Sequence, residues 1–142
     1  MRSIMKHLPT RTVWIAAAVL ALAACGEVFT GEDKIADEAR VELTGDSPVD
    51  LELVTSTKFT RTRLEDGTRI IILQESDTAM VRPDYEATVS VAPDRGFYAG
   101  LKNDSDEVAE IVLRVFFDGK LSYEQPATIA EGGLLEYVYL FN

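Results

Sequence analysis

From Ala39 to the C-terminus the chain alternates apolar and polar positions with a period of two, and no stretch sustains a helical period. Ala39, Val41 and Leu43 alternate with Arg40, Glu42 and Thr44; past the turn Gly45-Asp46-Ser47-Pro48, Val49, Leu51 and Leu53 alternate with Asp50 and Glu52. Successive side chains on a strand point to opposite faces, so this alternation predicts strands with one face in a core and one in water. The same pattern predicts strands at Tyr85–Val91, Val108–Phe117 and Leu134–Phe141, and shorter ones at Thr78–Val81, Phe97–Leu101, Lys120–Tyr123 and Ala127–Ala130. In the last long strand Leu135, Tyr137, Tyr139 and Phe141 share a face, which predicts core packing rather than an aromatic binding surface.

Two Asp-Gly pairs mark hairpins. Asp66-Gly67 joins Lys58–Leu64 to Arg69–Leu73, and Asp118-Gly119 joins Val108–Phe117 to Lys120–Tyr123. A primed two-residue turn needs positive φ at both central positions, which these residues tolerate. In the first hairpin Ile70-Ile71-Ile72-Leu73 is apolar on both faces and predicts a central strand, whereas the Thr and Arg alternation of Lys58–Leu64 places its partner nearer an edge. Strands this short and this regularly punctuated predict an all-β fold, an antiparallel β-sandwich of immunoglobulin-like type. A small closed β-barrel is the alternative, because barrels alternate in and out in the same way.

The chain before Ala39 has a different character. Arg2, Lys6 and Arg11 precede the unbroken apolar run Val13–Ala24, the layout of a secretory signal. As a helix this run would rise about 18 Å, short of a hydrocarbon core of about 30 Å, so the pattern predicts a removable signal over residues 1–24 rather than a permanent span. It ends in Leu22-Ala23-Ala24-Cys25-Gly26, which resembles the lipobox of bacterial lipoprotein precursors. That resemblance implies a covalent lipid on Cys25, cleavage just before it, and anchoring by two or three acyl chains, which hold a protein stably at a membrane. It further implies a lipid-anchored address in the cell envelope; Gly26 stands where an Asp would favour inner-membrane retention, so the expected location is the outer membrane if the host has one. Residues 25–38 are polar and acidic and are expected to act as a tether about 20 Å long, with a short helix over Glu32–Arg40 as the competing form. The folded domain is then expected over 39–142.

Charge and composition narrow the chemistry. The chain carries 24 acidic residues against 14 basic ones, and loss of Arg2, Lys6 and Arg11 with the signal leaves eleven basic residues and a net charge of −13. Such a balance opposes nucleic-acid binding. Cys25 is the single cysteine, so no internal disulfide can form. His7 and Trp14, the only His and Trp, also precede Cys25. Without His or a free thiol, the processed chain has neither a Ser-His-Asp or Cys-His nucleophile nor an ordinary zinc site. No phosphate-binding glycine loop is present, no cofactor is expected, and the chain is read as a non-enzyme.

Two surface clusters remain as candidate sites. Asn103, Asp104, Asp106 and Glu107 gather hard oxygen ligands of the kind calcium takes, but the loop lacks the glycine and closing Glu of an EF-hand, and a solvated hairpin loop is the plainer reading. Lys58, Arg61, Arg63 and Arg69 form a basic stripe on an otherwise acidic domain, suited either to an anionic partner or to keeping an edge strand from pairing with another sheet. The functional expectation is a non-catalytic, lipid-anchored envelope β-sandwich that binds an envelope protein as an adaptor or assembly accessory. The alternatives are a small-ligand or calcium-binding module and a hydrolase built on carboxylates.

Overall fold

A computed structural model describes the backbone of residues 28–30 and, in full, residues 34–142. The signal segment and Cys25 lie outside the described residues. Nine strands follow in chain order: β1 (Val28–Thr30), β2 (Glu38–Asp46), β3 (Leu51–Arg63), β4 (Arg69–Val81), β5 (Tyr85–Ser90), β6 (Gly96–Lys102), β7 (Ala109–Phe117), β8 (Lys120–Ile129) and β9 (Leu134–Leu140). They form a five-stranded sheet in the order β1-β9-β6-β3-β4 and a four-stranded sheet in the order β5-β2-β7-β8. Every pairing is antiparallel except that of β1 with β9. No strand of one sheet pairs with a strand of the other among the described residues, so the fold is an open β-sandwich and not the closed barrel.

The alternation read from the sequence becomes the interior. In β7 Ala109, Ile111, Leu113, Val115 and Phe117 are buried, and in β2 Ala39, Val41 and Leu43 lie beside them in the same sheet. Facing them across the sandwich are Leu51 and Leu53 of β3, Phe97, Ala99 and Leu101 of β6, and Tyr137 and Tyr139 of β9. Each large side chain so buried contributes about 2–3 kcal/mol of transfer free energy. Phe117 sits at the centre of an aromatic cluster, its ring 4.8 Å from Tyr139, 5.0 Å from Phe141 and 5.7 Å from Phe97. The aromatic face of the last strand is therefore core, as its pattern predicts.

Three differences from the sequence pattern bear on function. First, the chain joins segments that read as separate strands: β3 runs from Leu51 to Arg63 and β4 from Arg69 to Val81, through irregularities in pairing between Thr55 and Phe59. Second, the hairpin is inverted relative to expectation. β3 is the inner strand, between β6 and β4, and β4, with its Ile70–Leu73 run, is the edge. The reason is that β6 takes only Glu52–Ser56 of β3, so the apolar run lies alongside a part of β3 that has already left the sandwich. Third, part of the segment expected to be a free tether is paired: Val28–Thr30 line up with Val138–Leu140. Ala36 is also buried, and Lys34–Asp37 are not helical.

The two Asp-Gly pairs make different turns. Asp118 and Gly119 both have positive φ, 48° and 81°, as a primed turn requires. At Asp66-Gly67 only Gly67 does, and the bonds Gly67 N–H to Leu64 C=O and Leu64 N–H to Thr68 C=O define a longer loop that ends on a left-handed glycine.

Candidate functional site

Register arithmetic defines an arm. β3 pairs with β6 only up to Ser56, which faces Tyr98, whereas it pairs with β4 out to Arg63, which faces Arg69. The seven residues beyond Ser56 continue with their partners on β4 as a two-stranded ribbon about 23 Å long, with Phe59 still against Gly96 of β6 and Thr60–Arg63 beyond it. A ribbon of two strands is marginally stable alone. Here its root is fastened: Ser56 Oγ donates to the main chain at Glu75, and Ser56 Oγ accepts from Lys58 N–H at 3.1 Å. Thr57 Oγ1 donates to Asp94 Oδ2 at 2.7 Å, and the Phe59 ring lies 6.4 Å from that of Tyr98.

The structure divides the predicted basic stripe. Lys58 lies on the face it shares with Thr60 and Thr62, where its ammonium donates to Glu75 at 2.9 Å; that bond holds its pKa above the ordinary lysine value. Arg61, Arg63 and Arg69 lie on the other face, with Phe59, Ile71 and Leu73: Arg61 is opposite Ile71, and Arg63 is directly opposite Arg69. Among the described residues no carboxylate comes within 4.0 Å of these three guanidinium groups, and Arg63 bonds only the carbonyl of Gly67. Like charges set opposite one another destabilise a strand pair. Elsewhere most cations are neutralised locally, Arg40 by Glu42 and Glu86, Arg82 by Asp50, Lys102 by Asp104 and Arg114 by Glu124; Arg95 is a further guanidinium without a carboxylate within 4.0 Å among the described residues.

The arm also bears apolar surface that the sequence pattern assigns to a covered central strand. Ile72 is 49% exposed and Leu64 44% exposed, while Ile70, Ile71 and Leu73 are half-buried. A run of four apolar residues read as a central strand because such a run is normally covered on both faces; here one edge and much of both faces are open. The other sheet edges among the described residues are guarded. β5 has only six residues, β8 carries Pro126 opposite Val112, and the three residues of β1 line the far edge of β9. β4, with thirteen residues, is the longest edge; Glu75, Asp77 and the pairing irregularity beside Gln74 guard its inner part, and Arg69–Leu73 is the regular, mainly apolar stretch left open.

The oxygen-rich loop has a different role. Asn103 is fully buried, and its Nδ2 donates to the carbonyls of Glu107 at 2.6 Å and Ile129 at 2.9 Å. Its Oδ1 accepts from Ser105 N–H at 2.9 Å and Ser105 Oγ at 2.8 Å. The carboxamide is thereby fully engaged in closing the loop between β6 and β7 onto the end of β8. Asp104 pairs with Lys102, and no group of three or more acidic or other metal-ligating side chains is gathered among the described residues. Nor does any described buried polar side chain lack a partner.

No family model matches the chain, and comparison with curated proteins and with solved structures returns no match. What the fold itself defines is a class, an all-β antiparallel sandwich with one projecting arm.

Proposed function

We propose that this protein is a non-catalytic, lipid-anchored component of a bacterial cell envelope that holds another envelope protein through the β3–β4 arm. The observation that carries the reading is the arm: a ribbon with three arginines lacking carboxylate partners, exposed isoleucine and leucine side chains, and an edge open to pairing over Arg69–Leu73. An apolar, unpaired edge is a liability that natural sheets avoid unless something covers it.

The register supports the geometry of such an adaptor. β1 runs parallel to β9, and β9 lies parallel to β3 through β6, so β1 runs toward the end of the sandwich from which the arm projects. Cys25 precedes Val28 by three residues, a span of at most about 11 Å. Through Val138 and Tyr98, Val28 stands level with Ser56 at the root of the arm, so a lipid on Cys25 would keep that root close to the membrane, within reach of a partner in the envelope.

Photo-crosslinking in cells from a probe at Ile72, with Cys25 intact and with Cys25→Ala, tests the reading. One dominant protein adduct that is lost in the Cys25→Ala chain is the expected result. Labelled palmitate or diacylglycerol failing to enter the wild-type protein, or no specific adduct from the arm, would sink it.

A further inference from the structure

The partner's chemistry can be taken one step further, a step that rests on the adaptor reading above. We propose that the open edge of β4 over Arg69–Leu73 accepts an extended segment of the partner protein as an added strand, and that this segment carries carboxylates that meet the Arg61–Arg63–Arg69 face. Three observations converge on it. The first is the backbone: β4 is paired on one side only, so its outer N–H and C=O groups can be matched by a strand and not by a lipid headgroup or a phosphate. The second is the side-chain pattern. Arg69, Ile71 and Leu73 alternate with Ile70 and Ile72, so a pairing strand is complementary when it is apolar along its length and acidic at the end beside Arg69. The third is charge: Arg63 and Arg69 face each other across the ribbon with no carboxylate near, in a chain otherwise rich in local ion pairs. An added acidic residue would relieve that repulsion in the complex alone.

A second copy of this chain is the obvious competitor. Antiparallel pairing of two β4 edges, however, would bring two arginine-rich arms side by side, and the irregularity between Lys58 and Phe59 shifts Glu75 onto the face of Lys58, away from Arg69. Self-pairing therefore lacks the opposite charge that the arginine face calls for.

The test uses the full chain and a fluorescein-labelled peptide, Glu-Val-Thr-Val-Thr-Val-Glu, which presents a carboxylate to Arg69 whichever way it runs. Binding is read by anisotropy, and strand addition by hydrogen exchange at the amides of residues 69–73. The expected result is saturable binding with slowed exchange in β4. Binding should weaken at least ten-fold with Arg61→Glu plus Arg69→Glu, and again when alternate peptide nitrogens are methylated to block backbone pairing. Near-ultraviolet circular dichroism of the variant, dominated by the aromatic cluster around Phe117, checks that its sandwich is intact. The proposal is overturned if the peptide does not bind, if the charge-reversed variant or the methylated peptide binds as well as the parent, or if polyphosphate or phosphatidylglycerol vesicles slow β4 exchange equally. It is also overturned if the chain sediments as a dimer with β4 already protected, which would assign the edge to a second copy. A protein crosslink from Ile72 combined with any of these failures retires the acidic strand and leaves the adaptor reading standing; absence of the crosslink retires both.

Discussion

Replacing Asn103 by Asp separates the two roles open to the loop between β6 and β7. In the structure Nδ2 serves the carbonyls of Glu107 and Ile129 and Oδ1 serves Ser105, all inside a fully buried pocket. An Asp side chain has the same shape but presents an oxygen where Nδ2 was, so two carbonyls lose their donor and a carboxylate is buried against them. An orphaned buried carbonyl costs about 1–3 kcal/mol, and the Glu107 carbonyl, on an exposed residue, can recruit water while that of Ile129 cannot. With the uncompensated charge added, the total is about 3–4 kcal/mol at neutral pH, a large part of a typical stability of about 5–15 kcal/mol. The sign of the pH dependence is fixed by the same contacts. The folded state resists ionisation of Asp at this position, so its folded pKa lies above the unfolded value of about 3.9, and the folded state binds the proton more tightly. The variant must therefore lose stability as pH rises from about 4 through that folded pKa, then level off, while the wild type lacks this step. Urea unfolding followed by tyrosine fluorescence at pH 4.5 and 7.5, each with and without millimolar calcium, measures it. A gap to wild type of about 3 kcal/mol or more at pH 7.5 that narrows at pH 4.5 and ignores calcium is expected. If calcium stabilises the wild type, or if the Asp variant gains stability when calcium is added, the loop is a metal site and the structural account of Asn103 is wrong.

Three further outcomes follow from the same contacts. Gly45 has φ +118°, and a Cβ there would clash with the Glu110 carbonyl oxygen, so Gly45→Ala should lower stability by about 2 kcal/mol or more, read from the urea midpoint; a change under half of that would refute the clash. Asp118 holds a left-handed turn while its Oδ1 accepts from the amides of Asp37, at 2.9 Å, and Glu38, at 3.1 Å; Asp118→Gly eases the turn yet should still destabilise by about 1–2 kcal/mol, and a stabilised variant would show the capping bonds to be idle. Tyr98 and Tyr137 have hydroxyl pKa values pushed up, chiefly by burial and, for Tyr98, also by its bond to Glu136. The folded state therefore holds these protons more tightly than the unfolded chain, and stability should fall as pH rises above about 10. In an absorbance titration these two of the five tyrosines should ionise only as the fold opens, and reversible titration of all five near pH 10 with the native spectrum retained would contradict it.

The interior was legible because it obeys a local rule. Ala109, Ile111, Leu113, Val115 and Phe117 are buried in turn along β7, and Tyr137, Tyr139 and Phe141 belong to the core as their spacing predicts. What local pattern cannot carry is strand order. Four apolar residues at Ile70–Leu73 have the composition of a covered central strand, but whether they are covered depends on how far β6 follows β3, a pairing between segments about forty residues apart. The same limit applies to Asn103. Its neighbours Asp104, Asp106 and Glu107 look like ligands in sequence, yet the carbonyl that decides its role, that of Ile129, lies 26 residues on. The basic stripe was half legible: parity alone separates Lys58 from Arg61 and Arg63, while the absence of carboxylates around the three arginines is a fact of three dimensions.

The short parallel strand β1 carries a consequence for anyone who handles this domain. Periodicity starts at Ala39, and that is where a trimmed version would naturally be cut. Yet Val28–Thr30 line β9 along Val138–Leu140, and Val138 is almost wholly enclosed. A chain shortened to Ala39 would bare a second unguarded sheet edge next to buried aromatic residues, and its tendency to clump in the test tube would then report the cut and not the biology. Work on the isolated fold should keep the residues from Val28 onward.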